Sequence, residues 1–302
     1  MTRKIDLSII ILNYNTKELL GDCLHSIRSS KKNNYSYEVI VVDNASTDGS
    51  AQMVKKEFKE VELIVNQKNL GFAAGNNKGF KKSRGRYLLL LNPDTIVQPE
   101  TLKTMIDFMD KHPKVGAATC RVELPDGRLD DACHRGFPTP WNAFTYFSGL
   151  AKIFPKVKLF TGYTLTHFPL NRTHEIDSGV GAFLMIRRKA GEEVNWLDED
   201  YFWYGEDLDF CYRLKQKGWR VMFVPKIKII HYKGVSSGMK RHTKEMTTAT
   251  KETRLRAAKA STEVMRIFFK KHYQQKYPRW IFWLVMRGID LLEKFRLLKY
   301  SL

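Results

Sequence analysis

Acidic residues stand at three places in this sequence where an α/β protein could use them for chemistry. Asp94 closes "RYLLLLNPDTIV" (86–97), in which five apolar or aromatic residues run straight into Asn92-Pro93-Asp94. Asp43 ends "YEVIVVD" (37–43), and Glu206-Asp207 follow Gly205 in "WLDEDYFWYGEDLDFCYRL" (196–214). Each has a plain structural explanation: Asn-Pro-Asp is good turn chemistry, and acids are favoured in the first turn of a helix. Each also has a chemical one. An acid ending the second strand of an α/β sheet commonly holds a nucleotide's ribose or base. One or two carboxylates completed by phosphate oxygens suit Mg²⁺ or Mn²⁺, and such an ion offsets the charge of a departing diphosphate. His231, closing "KIKIIHY", is a further candidate ligand, and imidazole beside carboxylate leans towards Mn²⁺. The plain alternative is a histidine that closes a strand on a backbone carbonyl. Upstream of Glu206-Asp207, the cluster Tyr201, Phe202, Trp203, Tyr204 reads as a sugar platform. Sugar C–H faces stack on such rings while an acid takes a hydroxyl proton.

These residues need a scaffold, and the first part of the chain supplies a repeating one. Strands are expected at 7–12, 37–43, 61–65, 87–91 and 115–119, separated by helical patterns such as 16–27, where Leu19, Leu20, Cys23, Leu24 and Ile27 recur at helical spacing. Near-continuous β-branched runs separated by helices predict a parallel sheet covered on both faces. Ligands of such sheets bind beyond the carboxyl ends of the strands, where Asp43 and Asp94 sit. From about residue 120 the alternation stops. "LPDGRL" (124–129) reads as a hairpin turn, and 137–170, rich in aromatics, Pro and Thr, reads as a functional loop region. Order returns at 181–188, in a helix over 207–219 and in two late strands, "RVMFV" and "KIKIIHY".

Composition narrows the classes. The chain has 302 residues, 43% of them hydrophobic, enough for a sizeable core. Its four cysteines form no C-x-x-C pair, which argues against a zinc ribbon or disulfide framework and suits a reducing cytoplasm. The N-terminus reads as a first strand, not a signal peptide. The turn after that strand, "NYNTKE", lacks G-x-G-x-x-G, and no G-x-x-x-x-G-K-[ST] occurs, so a nucleotide is expected but a dinucleotide is not. The net charge of +19 is uneven: residues 239–302 carry 16 Lys/Arg against 5 Asp/Glu. There, 240–260 reads as a solvated helix, and "PRWIFWLVMRGIDLLEKFRLLKY" (278–300) is too short in apolar run and too charged to span a bilayer. It suits a helix lying in the headgroup plane of an anionic membrane, or one packed on the catalytic domain or a second subunit. No nucleic-acid motif accompanies the basic excess, so nucleic acid is not expected as a partner.

"SIIILNYN", "VIVVDNASTDGS", "NLGFAAGNNKGF", "LLLLNPDTIV", "GAFLMIRR", "WYGEDLDFCYRLKQKGW" and "HYKGVSS" occur in the order seen in family 2 glycosyltransferases. The chain resembles the rhamnosyltransferase-like branch of that family over residues 5 to about 238. The resemblance implies a GT-A fold, α/β with a mostly parallel central sheet flanked by helices. Its nucleotide-binding half covers about 1–119 and its acceptor-binding half about 120–238, followed by the basic helical region 239–302. It further implies transfer of a sugar with inversion, from a dTDP- or UDP-linked donor, dTDP-rhamnose foremost, to a glycan or polyprenyl-linked acceptor in cell-surface polysaccharide synthesis. The work would be done in the cytoplasm at the inner face of the membrane, by a monomer or a homo-oligomer. Carried over by motif, Tyr14 lies near the base and Asp43 bonds base or ribose. Asp94 stands where the family's D-x-D motif ends, with Asn92 in place of its first acid, and His231 matches the His of H-x-x-G-x-S. Asp207 matches the catalytic aspartate, while Glu206, Asn92 and Trp203 face donor or acceptor. Asn76 and Asn77 fall near the donor site. Two other classes stay open on the sequence: a basic membrane- or nucleic-acid-binding protein, and a non-catalytic sugar-binding relative.

Overall fold

The computed structural model describes residues 5–30, 35–233 and 251–301. The expected alternation is present: β1 (Leu7–Asn13), α1 (Lys17–Arg28), β2 (Tyr37–Asp43), α2 (Ser50–Glu57), β3 (Glu62–Val65), α3 (Phe72–Lys82) and β4 (Tyr87–Leu91). There follow β5 (Thr95–Val97), α4 (Thr101–Lys111), β6 (Val115–Glu123), α5 (Pro140–Phe147), α6 (Leu150–Ile153), β7 (His174–Ile176), β8 (Phe183–Arg187) and α7 (Arg188–Glu193). The chain ends with α8 (Glu206–Gln216), β9 (Arg220–His231), α9 (Lys251–Tyr273) and α10 (Arg279–Ser301). The 240–250 part of the helix expected at 240–260, the remainder of the "HYKGVSS" motif after Lys233 and the 238–239 boundary lie outside the described residues.

The described strands form one sheet in the order β3-β2-β1-β4-β8-β6-β9-β5, with β7 beside β9. β1 to β4 are parallel, as their buried aliphatic runs require, and Leu88–Leu91 and Ile9–Ile11 are fully enclosed. The second half is mixed. β8 runs antiparallel between β4 and β6, and β9 runs parallel to β6 but antiparallel to β5 and β7. Periodicity could not have told these apart, because a strand buried on both faces looks alike in either direction. The two late strands are one, β9, whose pairing with β6 shifts register around Pro225. A proline cannot donate to the ladder, so the sheet accommodates it as an irregularity.

Registers bring the strand ends together. Asn13 pairs with Asp43, Leu91 with Phe183, and Thr95 with His231. The last pairing alone sets Asp94 and His231 side by side from positions distant in sequence.

The described part of the basic region packs on α8. Tyr212 of α8 is ringed by Phe268, His272 and Tyr273 of α9, and His272 Nε2 meets Asp209 Oδ1 at 2.6 Å. Ala257 and Ala258 are buried, so the described part of the 240–260 helix is not solvated all round. α10 folds back on α9 through Arg266, which is ion-paired to Asp290 and Glu293, and through Phe269 against Phe282. Its other face is open. Gly205, at φ +85°, makes the turn into α8, and a Cβ there would stand 2.3 Å from Val264 Cγ2 of α9. We therefore expect Gly205→Ala to cost about 2–4 kcal/mol, from left-handed strain and overpacking together. Val264→Ala in the same chain should return the overpacking part. Denaturant titration of the two single variants and the double variant measures that coupling, and strict additivity would contradict it.

Candidate active site

Asp94 follows β4 through Asn92-Pro93, and the Tyr232 N–H donates to its carbonyl at 2.9 Å. Its carboxylate Oδ1 lies 3.3 Å from His231 Nε2. On the other side of the ring, His231 Nδ1 donates to Asp130 Oδ2 at 3.1 Å. Asp130 is buried, pairs also with Lys233, and caps the short 3-10 turn Asp131–Cys133 by accepting from the Ala132 N–H. Burial disfavours charge on His231, but Asp94 and Asp130 outweigh it and push the imidazole up to about 9. Burial likewise disfavours the Asp130 carboxylate, yet His231 and Lys233 hold it well below the usual carboxylate range.

No three His, Cys, Asp or Glu side chains converge on one point among the described residues, so they form no closed protein cage. An open site fits better. The Asn92 amide lies 3.4 Å from His231 Nε2, and its buried Oδ1 has no hydrogen-bond partner among the described residues. An orphaned carbonyl oxygen, a carboxylate and an imidazole oriented by a carboxylate are a donor set suited to Mg²⁺ or Mn²⁺, with phosphate oxygens and water filling the rest.

Asp207, the second residue of α8, has both oxygens engaged. Oδ1 accepts from Arg135 Nη2 at 2.8 Å and from the Leu208 N–H at 2.7 Å, while Oδ2 accepts from the Gly181 N–H at 3.2 Å. A carboxylate has about four lone-pair sites, so capacity for a substrate proton remains. The Arg135 side chain is largely enclosed, at 17% exposed, and the Asp207 charge offsets the cost of that enclosure to its guanidinium. Next door, burial first and the Asp207 charge second push Glu206 well above the carboxylic range, and its Oε2 has no partner among the described residues. Of these two neighbouring acids, one is ion-paired to Arg135 and the other is kept neutral by burial.

The two ends are tied together. Asp130 and Arg135 lie five residues apart, one on His231 and one on Asp207. Even fully extended, those five residues span no more than about 17 Å. Beneath them the Asn92 N–H donates to the Ala182 carbonyl at 3.2 Å, one residue from the Gly181 N–H that holds Asp207. The sequence reading missed both Asp130 and Arg135, whose only local signal is a pair of charges in "DDACHR" (130–135).

The nucleotide end is more open. Tyr14 is exposed just past β1, while Asp43 is buried with Oδ2 on Asn13 Nδ2 and Oδ1 on the Ser46 N–H, both at 2.9 Å. Asp43 therefore also shapes its own loop. In the aromatic cluster, Trp203 and Tyr204 stack at 6.0 Å and are half-buried, and Phe202 is exposed while its carbonyl accepts from the Phe72 N–H. Tyr201 is not part of a platform: it is buried, with its hydroxyl on Asp209. Asn77 does not face a donor either, because its amide bonds the Leu197 backbone and Glu199. Asn76 is wholly buried beside it, with its amide on the Phe72 carbonyl. All four cysteines are buried and free, and burial pushes the Cys23 and Cys133 thiols up to about 12.

Residues 8–194 match the profile of Glycosyl transferase family 2, and the chain belongs to that family. It is a glycosyltransferase with rhamnosyltransferases among its relatives. It is 27% identical over 212 residues to "N-acetylglucosaminyl-diphospho-decaprenol L-rhamnosyltransferase" of Mycobacterium tuberculosis, covering 66% of this chain and 68% of that one. It is 25% identical over 233 residues to "Rhamnosyltransferase WbbL" of Escherichia coli, covering 74% and 82%. Among solved structures it resembles the mannosyltransferase PcManGT from Pyrobaculum calidifontis in complex with GDP-Man and Mn²⁺, at TM-score 0.59 and 17% identity, over 99% of this chain and 74% of that one. That likeness is one of fold, and the fold is the expected GT-A arrangement.

The neutral Glu206 has a measurable consequence. Unfolded, it releases its proton above its ordinary 4.5, whereas folded it keeps it, so stability falls as pH rises beyond that point. Glu206→Gln copies the neutral form. Its melting temperature should exceed the parent's by a margin that widens as pH rises from 4.5. A pH-independent difference would contradict the assignment.

Proposed function

We propose that this chain is an inverting, metal-dependent transferase that moves a sugar, rhamnose foremost, from a nucleoside-diphosphate donor to a lipid-linked or glycan acceptor. The observation that carries the reading is the joining of two polar clusters by one short segment: Asp94 with His231 at one end and Asp207 with Arg135 at the other. Tyr14 and Asp43, at the ends of β1 and β2, take the base and ribose. A divalent cation held by Asp94, His231 and the Asn92 oxygen would offset charge on the diphosphate as it leaves. Asp130 holds the ring so that Nε2, on giving up its proton, faces that place.

Across the sugar, Asp207 accepts the proton of the acceptor hydroxyl as its oxygen bonds to the anomeric carbon. The old carbon–oxygen bond breaks with its electron pair leaving on the diphosphate. Arg135 and the Gly181 N–H fix the carboxylate for this, and neutral Glu206 donates a hydrogen bond to donor or acceptor. Trp203 supplies the stacking face. We assign the nucleotide-binding half to about 1–119, the acceptor-binding half to about 120–238 and the basic helical region to 239–302.

The names of two relatives support rhamnose, and the first also names an acceptor on a polyprenyl diphosphate. No described helix is long and apolar enough to cross a membrane. α10, however, turns Trp280, Leu284, Leu291, Phe295 and Leu298 outward along one stripe, beside Trp283 and Arg287. This supports peripheral docking on an anionic bilayer at the inner face of the membrane.

A panel of nucleotide sugars with Mn²⁺, scored by nucleoside diphosphate release, tests the donor: dTDP-rhamnose should outperform UDP-hexoses, and no release from any donor would overturn the reading. Asp207→Asn should lower turnover by about 10²–10⁴-fold while leaving donor affinity nearly unchanged, and comparable turnover would refute the base. Asp94→Ala should abolish the gain in donor affinity that Mn²⁺ gives. An unchanged calorimetric titration with and without Mn²⁺ would remove the metal role.

A further inference from the structure

Residues 137–163 leave the sheet directly from the candidate site. Arg135 sits on Asp207, the Gly136 N–H donates to the Tyr163 carbonyl, and Phe137 packs edge-on against Tyr212 of α8. Between these anchors the excursion carries α5 and α6 and shows an unusual surface. Trp141, Phe144, Phe147, Ile153, Phe154 and Leu159 are each 43–66% exposed. Their exposure is not slackness. Thr139 caps α5 with Pro140 at its first position, the Trp141 indole N–H donates to the Leu159 carbonyl, and Phe160 packs between Trp141 and Phe154. The rings are held outward by a built scaffold. Lys152, Lys156 and Lys158 are exposed among them, and residues 137–160 contain no acid.

We propose that this excursion is a membrane-inserting platform for an anionic bilayer, close to α10 and placed beside the acceptor end of the site. Aromatic and aliphatic side chains amid lysines suit the headgroup boundary, where rings enter the acyl region and ammonium groups meet lipid phosphates. A second copy of the chain is a poorer occupant, since the same face would bring three more lysines against these three with no carboxylate to meet them. α10 lies near this excursion: the Arg296 charge reaches Tyr146 of α5, and the same guanidinium donates to Ser261 of α9. The proposal rests on the lipid-facing reading of α10 only for that nearness. Two membrane-facing surfaces, one of them anchored beside Asp207 through Arg135, would fix the site's height above the bilayer for a lipid-linked acceptor.

Flotation of the full-length protein with vesicles of phosphatidylcholine, with and without phosphatidylglycerol, tests this in three variants. Phe144→Glu/Phe147→Glu/Ile153→Glu should weaken partition by roughly 10-fold or more with the melting temperature unchanged, since all three side chains face solvent. Lys152→Gln/Lys156→Gln/Lys158→Gln, which leaves the apolar face intact, should weaken partition on anionic vesicles by roughly 100-fold and reduce its salt dependence. Trp283→Glu/Leu291→Glu/Phe295→Glu reports on α10 separately. If the α10 variant loses partition while both excursion variants float like the parent, the platform is overturned and the peripheral reading of α10 stands. If the parent does not float on anionic vesicles at low salt, both fall. If light scattering instead shows a parent dimer that the Phe144→Glu variant breaks, with no flotation, the face belongs to a second copy and the proposal is overturned. Nucleoside diphosphate release from a soluble donor, measured alongside, keeps failure of docking distinct from failure of transfer.

Discussion

A buried charge must find a partner, and in this protein that requirement shapes the site. Asp207 is placed at the start of α8 by a left-handed glycine turn and is buried there. Arg135, largely enclosed itself, pairs with it at 2.8 Å, so each partner satisfies the other. Breaking such a pair costs about 3–5 kcal/mol because a bare charge remains. The same logic recurs five residues upstream, where Asp130 is stabilised by His231 and Lys233 and in turn fixes which nitrogen of the imidazole faces Asp94. A single irregular segment thereby links the two groups that the proposed chemistry puts on opposite sides of a sugar.

Much of this was legible in the residue order, for a physical reason. The strands that carry Asp43 and Asp94 are buried on both faces, so their composition declares them, and the acids at their ends interrupt long apolar runs. Gly205-Glu206-Asp207 announces itself as a turn into a helix. His231 could be paired with Asp94 only through the motif resemblance, but the β5/β9 register then made the pairing concrete. Asp130 and Arg135 were not legible. They lie where periodicity is lost, and their roles depend on a chain reversal that no local pattern encodes. The aromatic run 201–204 misled in the opposite way. Its four rings look alike in sequence, yet Tyr201 turns inward to Asp209 and Lys271 while Trp203 and Tyr204 remain near the surface.

The basic region also had to be seen folded. As a string, its lysines and arginines describe a solvated or membrane-bound tail. Packed, α9 becomes the outer wall of the helix that carries Asp207, through Tyr212, His272–Asp209 and the contact at Gly205. Charge in this region is thus divided between two tasks: ion pairs that fasten α9 and α10, such as Arg266 with Asp290 and Glu293, and cations left outward beside apolar rings. The first task explains why the chain keeps acids here at all, and the second why it keeps so few.

The account turns on a cation and a carboxylate facing one another across the sugar. Anomalous scattering at the manganese edge, from crystals grown with Mn²⁺ and a nucleoside diphosphate, would locate the ion directly. The account predicts one peak in coordination contact with Asp94 Oδ1 and His231 Nε2, with phosphate oxygens on the side that faces Asp207. A peak that omits both side chains, or a diphosphate turned away from Asp207, would contradict it.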